Sequence, residues 1–411
     1  MLIAGLAAGP TGLAQPATEP LRVLVPDRQN LQFASLWIAQ GAGFFAAEGV
    51  PVAIVTPPAR PLTVQWLRDS RADVAVLPPP MYLALIGEGF AIRIVANLLR
   101  RDPINLVVSR SAWTRLTGRP QFRSIECPAA RPVRSASTPN RIPCPDVRGA
   151  PVIERLRALR GMSIGVAQGP QPRLRALFHS HGLVVDDVVD VAIIPGPKQN
   201  AALAEGRVDA LYAHTPFLER ALLHQDAALY VNQSAGEVPR LAEQQIHTLV
   251  VTKTFIDQHS ETVHALVRAL LRAQRLANKD VARAQQAVRA ALPHLPGAEV
   301  DRAIELYAPA LPSDPAVSVA GVLAALDLYP IMGVAPGQEA ASIAPFVATH
   351  VARAAIADID RLPRQRLPRQ PRPPLPESTH STLWVTFGWM AGGVGVLLIL
   401  LAAKRLIKRR F

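Results

Sequence analysis

From Leu21 to Thr252 the chain alternates short, nearly uninterrupted apolar runs with segments of helical periodicity, and this pattern limits the fold more than any other feature. The runs are LRVLVP (21–26), PVAIVTP (51–57), DVAVLP (73–78), IRIVANL (92–98), INLVVS (104–109), MSIGVA (162–167), VVDVAIIP (188–195), VDALYAH (208–214), ALYVNQ (228–233) and HTLVVT (247–252). Most lack the apolar/polar alternation of a strand with one wet face, so they read as strands covered on both faces. Between them Phe33, Leu36, Trp37 and Phe44 recur at helical spacing, as do Leu174, Leu177 and Phe178. Strand and helix in alternation predict an α/β fold, here as two successive sets. After residue 253 the pattern becomes helical. SETVHALVRALLRAQRLANKD opens on Ser260 as N-cap, has Glu261 in the first turn, and puts Val263, Leu266, Val267 and Leu270 on one face. Further helices are expected at 281–291, 298–308, 317–328 and 339–358.

The 411 residues are 49% hydrophobic, enough for two lobes or two to three domains. The net charge of +13 would point to nucleic acid if it were spread over a folded surface, but it is confined. Residues 361–411 carry +9 and residues 110–160 carry +8, which leaves −4 for the rest. Neither basic cluster is interleaved with aromatics, so a nucleic-acid partner is not expected.

The ends of the chain carry signals of their own. Leu383 to Ala403 is a 21-residue stretch without a charge, the length of a membrane-crossing helix, with Trp384 and Trp389 near one end and Lys404, Arg405, Lys408, Arg409 and Arg410 beyond the other. It predicts one transmembrane helix over 383–403 and a basic cytoplasmic tail over 404–411. Before it, residues 361–382 are rich in Pro and Arg and repeat RLPRQ at 361–365 and 366–370, which favours an extended stalk. At the other end, residues 1–20 read as a secretory signal remnant. They are small and apolar, with Gly12-Leu13-Ala14 before Gln15-Pro16, and the missing basic start places them inside a longer signal.

Residues 110–160 interrupt the α/β alternation with eleven Arg, seven Pro and the two cysteines, Cys127 and Cys144. If the protein is exported, a Cys127–Cys144 bridge would close a loop worth about 3 kcal/mol, with free thiols as the alternative. No His lies in the segment, and no metal site is expected there.

Three blocks carry a resemblance. QFASLWIAQGAGFFAAEGVPVAIVTP has an apolar helix ending in Gly43-Phe44-Phe45, then Glu48-Gly49 and a strand. RADVAVLPPPMYLALIGEGFAIRIVA follows, and LRGMSIGVAQGPQPRLRALF with AALAEGRVDALYAHTP completes the order. Over residues 21–280 the chain resembles the periplasmic substrate-binding proteins of ABC importers, in the branch that handles nitrate, sulfonates, taurine and thiamine precursors. The resemblance implies a two-lobed periplasmic-binding-protein fold of type II, hinged so that the lobes close on a small-molecule ligand, with an ABC permease and its ATPase subunits as partners. Lobe 1 would be 21–108, lobe 2 would be 109–245 with the excursion at 110–160, and 246–360 would return to lobe 1 and continue as a helical tail. The Arg/Pro/Cys excursion and the C-terminal span depart from the family's usual soluble or N-terminally lipidated pattern, and put the mode of anchoring in doubt.

In an open α/β sheet ligands bind beyond the carboxyl ends of the strands. Four junctions qualify. Gln29, Asn30 and, on the helix that follows, Phe33 belong to the first; Pro78 and Pro79 to the second; Gln168 and Gly169 to the third; His214 and Thr215 to the fourth. Gly169 permits close backbone approach, and Pro172 suits the first turn of a helix whose free N–H groups could hold an anion. Asp27 and Arg28 have opposite charges, so the sign of the ligand stays open. Phe33 and Trp37 fit the core as well as a pocket, and His214 could simply cap its loop.

The chain lacks Gly-x-Ser-x-Gly, a phosphate loop, His-Glu-x-x-His and Gly-x-Gly-x-x-Gly. No catalytic residue, cofactor or metal is expected. The first reading is a membrane-tethered extracytoplasmic solute-binding protein. The alternatives are a ligand-sensing or assembly subunit acting through its single span, where Gly388 and Gly392 give a small-residue face, and a thiamine-precursor-synthesis-like enzyme.

Overall fold

All ten apolar runs form strands, and they sort into two five-stranded sheets. The computed structural model describes residues 19–117 and 150–361, apart from Asp327, Pro330 and Met332. The first sheet contains β1 (Leu21–Leu24), β2 (Val52–Val55), β3 (Val74–Leu77), β4 (Ile92–Arg101) and β10 (Ala242–Thr252), in the order β2-β1-β3-β10-β4. The second contains β5 (Asn105–Val108), β6 (Ser163–Val166), β7 (Asp190–Ile193), β8 (Ala210–Ala213) and β9 (Ala228–Val231), in the order β7-β6-β8-β5-β9. The sheets therefore repeat one plan. Three parallel strands are followed by an antiparallel strand from the far side of a crossover: β10 beside β3, with Thr248 opposite Leu77, and β5 beside β8, with Leu106 opposite Tyr212. This is the two-lobed periplasmic-binding-protein fold.

Strand burial explains the continuous apolar runs. Leu24, Ala75, Leu77 and Val250 point into one core with Leu67 of α3 (Leu62–Arg68), Tyr82, Leu83 and Ile86 of α4 (Pro79–Gly87), and Val322 of α14 (Val319–Leu323). Their neighbours Val23, Val74, Val76 and Val251 point the other way and are equally buried. In the second sheet Leu106, Val108, Ile164, Val166, Ala210 and Tyr212 pack with Leu174, Leu177 and Phe178 of α7 (Gln171–His179).

The chain passes from the first sheet to the second at Asp102–Ile104 and returns over residues 232–241. Both crossings precede those expected at residues 108 and 245, because β5 pairs with β8 and Gln245 already lies within β10. The ends of the 110–160 excursion also differ from the expectation of no apolar period. Residues Arg110–Thr117 form α5 and Val152–Ala158 form α6, and Ala112, Leu116, Val152 and Leu156 join the second core. Cys127 and Cys144 lie outside the described residues, as do the signal remnant through residue 18, the stalk after Arg361, the 383–403 span and the tail. Among the described residues no helix is long and apolar enough to cross a membrane.

The helical tail opens with α11 (Ser260–Lys279). Ser260 is its first residue and His259 occupies the N-cap. Val263, Leu266, Val267 and Leu270 are buried as the spacing predicts, against α1 (Ala34–Gly41), α2 (Phe44–Ala47), α12 (Val281–Ala291) and α16 (Thr349–Arg361). The Gly43–Gly49 block gains a physical reason here. Both glycines have positive φ, 74° and 71°, and bracket the single turn of α2, while the half-buried Glu48 accepts from Arg268 and Arg272 of α11 at 2.7 and 2.6 Å. The expected helix at 339–358 is broken into α15 (Glu339–Ile343), a 3-10 turn over Ala344–Phe346 and α16, because Pro345 removes a donor and crowds the preceding turn. That expected at 317–328 is helical only over Val319–Leu323, and Leu326 and Tyr329 pack on the first core from the turns that follow.

Candidate functional site

The carboxyl ends of the parallel strands in both sheets lead into loops that contribute to one polar cluster. From β1 comes Asn30, whose side chain caps the 3-10 turn Leu31–Phe33 by accepting from the Gln32 N–H at 2.9 Å. Phe33 sets its ring edge-on against His247, 5.1 Å between centroids. His247 Nε2 lies 2.9 Å from Gln32 Oε1 and donates to it, which leaves Nδ1 as an acceptor. From β8 come His214, whose Nδ1–H donates to the Thr215 carbonyl at 2.6 Å, and the fully buried Thr215. Four buried polar atoms of this group have no partner: Asn30 Nδ2, Gln32 Nε2, Thr215 Oγ1 and His247 Nδ1. Buried polar atoms are usually paired with protein groups or ordered water, so these four have capacity for a water or a ligand.

The electrostatics join the two halves. Burial holds both imidazoles below the ordinary histidine value, and the charges of Arg60, from the loop after β2, and Arg173, from α7, push them the same way. Asp27 opposes this at His214. Both histidines are therefore neutral at pH 7, and two guanidinium groups act on them. Such a cluster offers hydrogen-bond donors and two imidazole acceptors beside the cations of Arg60 and Arg173 and the acids Asp27 and Asp102, a setting for a small polar molecule. Among the described residues no three His, Cys, Asp or Glu side chains gather as they would around a metal ion.

Arg173 also secures the crossover. Its guanidinium donates to Asp102 Oδ1 at 3.1 Å and to the Tyr329 hydroxyl at 3.2 Å, so α7, the first crossing and the segment after α14 meet at one buried cation. Burial alone would lower the Arg173 pKa, but Asp102 and Tyr329 carry it above its ordinary value. Nearby, the Tyr82 hydroxyl donates to the Gln245 carbonyl at 3.0 Å. A surface pocket of about 470 Å³ lies along β4 and β10 near Asn97, Arg100 and Gln245, and shares no residue with the cluster of Asn30, Arg60, Arg173, His214, Thr215 and His247.

The residues expected at the four junctions fare differently. Asn30, Phe33 and Thr215 are buried and His214 half-buried, and they belong to this cluster. Pro78 caps α4 and Pro79 begins it, with Pro79 buried. Gln168 and Gly169 are exposed before α7, and a Cβ on Gly169 would meet no atom within 4 Å. Gln29 is exposed, with its backbone N–H turned to Asp27. Trp37 and Tyr212 are fully buried, Tyr212 taking a hydrogen bond from Gln233 at 2.7 Å.

Sequence reasoning missed His247, Gln32, Arg173 and Arg60. His247 is not at a strand carboxyl end, because β10 runs antiparallel and brings its amino end to the cleft. Arg173 had a readable signal: a cation in the first turn of a helix opposes the macrodipole and needs another partner.

The alkanesulfonate-binding protein SsuA from Xanthomonas axonopodis pv. citri, solved bound to MOPS, is 18% identical, with 82% of this chain and 99% of that one covered and a TM-score of 0.52. The periplasmic nitrate-binding protein NrtA from Synechocystis PCC 6803 is 13% identical, with 85% and 91% covered and a TM-score of 0.53. The periplasmic aliphatic sulphonate-binding protein SsuA from Escherichia coli is 13% identical, with 76% and 91% covered and a TM-score of 0.51. At these identities the likeness is one of fold. No curated protein sequence matches the chain. The profile of the NMT1-like family matches residues 28–291, from the loop after β1 to the last residue of α12, and the chain belongs to that family.

Proposed function

We propose that this protein is a solute-binding protein of the ABC-importer type, which captures a small polar, negatively charged molecule between its two lobes and hands it unchanged to a permease. The observation that carries the reading is the set of partnerless buried polar atoms on Asn30, Gln32, Thr215 and His247, drawn from both halves of the fold under the potential of Arg60 and Arg173. The family and the sulfonate- and nitrate-binding neighbours support the same reading. Phe33 would form an apolar wall, His214 and Thr215 would meet the ligand from the second lobe, and the start of α7 with Gln168 and Gly169 would close over it. Pro78 and Pro79 would shape the loop opposite. The globular part would face the extracytoplasmic space, held near the permease by the 383–403 span at the end of the Pro/Arg stalk, which raises its effective concentration there.

The test is a binding titration with nitrate, sulfonates, taurine and thiamine-precursor pyrimidines on the wild type and on Asn30→Ala, Thr215→Ala and His247→Ala. Each substitution should weaken the ligand that binds by tenfold or more while far-UV circular dichroism is unchanged. Equal affinity in all four proteins would remove this cluster as the ligand site.

A further inference from the structure

The second lobe meets the first lobe's helical layer through α9 (Phe217–His224) and α13 (Gly297–Tyr307), and an acid is sealed at that contact. Glu219 is 0% exposed, and neither carboxyl oxygen has a hydrogen-bond or ion-pair partner. The groups around it are Thr215 at the start of the same loop–helix unit and, from α13, the buried Tyr307, whose hydroxyls face the carboxyl and favour its charged form without closing a well-formed hydrogen bond. Arg302 of α13 acts on the carboxyl through space but lies 20% exposed and pairs with Glu305 at 2.7 Å. The other charges of the contact are spoken for: Arg220 of α9 pairs with Glu299 of α13 at 3.1 Å, with His224 3.9 Å away on the same carboxylate. Lys198 of the neighbouring α8 (Gly196–Ala204) is exposed. A charged carboxylate in such surroundings is strongly disfavoured unless it takes up a proton.

We propose that Glu219 is a proton-operated latch, whose neutral carboxyl joins Thr215 of the ligand cleft to Tyr307 of the opposing lobe when the lobes are closed, and which ionises when they part. The balance is one proton: the carboxylate, hydrated in the open form, takes H⁺ from water on closing and returns it on opening. Burial raises the Glu219 carboxyl from 4.5 to about 7, with Tyr307, Thr215 and Arg302 pulling the other way, so the latch would operate in the neutral range. Because Thr215 is shared, ligand capture and proton uptake become linked events. The proposal rests on the hinged-clamp reading given above.

The test uses the full chain, purified in detergent, with no ligand needed. Interlobe distance is followed from pH 5 to 9 by a pair of probes on exposed positions of the two lobes, and the buried acid by the infrared carbonyl stretch of a protonated carboxyl. In the wild type the closed-to-open ratio should fall by up to about tenfold per pH unit between pH 5 and 7 and level off above pH 7, while the carbonyl band disappears through pH 7. Glu219→Gln should abolish both the band and the pH dependence. Tyr307→Phe removes a hydroxyl that favours the charged form, so it should move the midpoint to higher pH, and it covers the case in which Glu219→Gln fails to fold. Lobe motion with the same pH profile in all three proteins would overturn the latch and leave the clamp standing. A distance that never changes at any pH would overturn the clamp and the latch with it.

Discussion

Replacing Arg173 by Met should cost the fold about 3 kcal/mol. The side chains of Arg173 and Asp102 are 8% and 3% exposed, and removing one member of such a pair strands the other as a buried charge, at about 3–5 kcal/mol. Asp102 would keep one hydrogen bond, from the Ile104 N–H at 2.9 Å, which argues for the low end of that range. The Tyr329 hydroxyl would lose its donor as well. With a urea m-value of about 3 kcal/mol/M, the unfolding midpoint should fall by about 1 M at constant m. Removing both charges in Arg173→Met/Asp102→Leu should recover most of the loss, because no charge is then left buried. The assay is urea unfolding at pH 7, followed by both circular dichroism and tryptophan fluorescence. A midpoint for Arg173→Met within about 0.2 M of wild type on the same m-value, or a double variant no better than the single one, would refute the view that this pair holds the crossover together.

A Cβ on Gly41 would sit 1.8 Å from the Ala287 carbonyl oxygen, so Gly41→Ala must push α1 from α12 and should cost about 1–3 kcal/mol; an unchanged thermal midpoint would contradict that packing. Glu48→Gln removes the shared anion between Arg268 and Arg272 and should cost about 2–3 kcal/mol in urea unfolding, whereas a change below about 0.5 kcal/mol would make the pairing incidental. Glu219 has a raised folded-state value of about 7 against an ordinary 4.5, so the stability held by its neutral form is present below pH 4.5 and lost as pH rises through 7. Glu219→Gln should therefore gain on wild type between pH 5 and 8, by up to about 3 kcal/mol, and parallel stability curves would be inconsistent with a neutral buried acid. His214 and His247 act in the other sense: their folded values lie below the ordinary 6.5, so the stability they carry is present above pH 6.5 and lost in acid. Finally, a chain ending at residue 361 should be released into the soluble fraction while the full chain stays with membranes after an alkaline wash. Full-length protein released by that wash would count against the 383–403 span.

What the sequence made legible, and what it did not, follows from the range of each interaction. Strand identity is local: most of the ten apolar runs, such as DVAVLP and MSIGVA, lack alternation and were readable because both faces of those strands are covered. The two-lobe plan was readable because the pattern occurs twice. Chain direction within a sheet is a tertiary property, and there the reading stopped. Strand β10 enters from the second lobe and runs antiparallel, which carries His247 to the cleft from what looked like the wrong end of a strand. Asn30, His214 and Thr215 sit at parallel strand ends and enter the polar cluster. Gln29 and Gln168 sit at equally good ends but face water, since nothing in the neighbouring residues says which way a loop side chain turns. Pairings such as Arg173 with Asp102, or Glu48 with Arg268, join residues far apart in sequence, so no local pattern names the partner even where, as at Arg173, one signals the need for it.

The central claim is that the polar cluster between the lobes holds a small, negatively charged solute, and a thermal-shift series on the purified protein tests it most directly. Ligand at a hundred times its dissociation constant adds about 2.7 kcal/mol to a fold it alone recognises, which gives a clear rise in midpoint. The account predicts that one class among nitrate, sulfonates, taurine and related anions raises the midpoint of the wild type, and that the rise vanishes in Asn30→Ala/His247→Ala. A well-folded wild type that responds to none of them, or a rise that survives intact in the double variant, would contradict it.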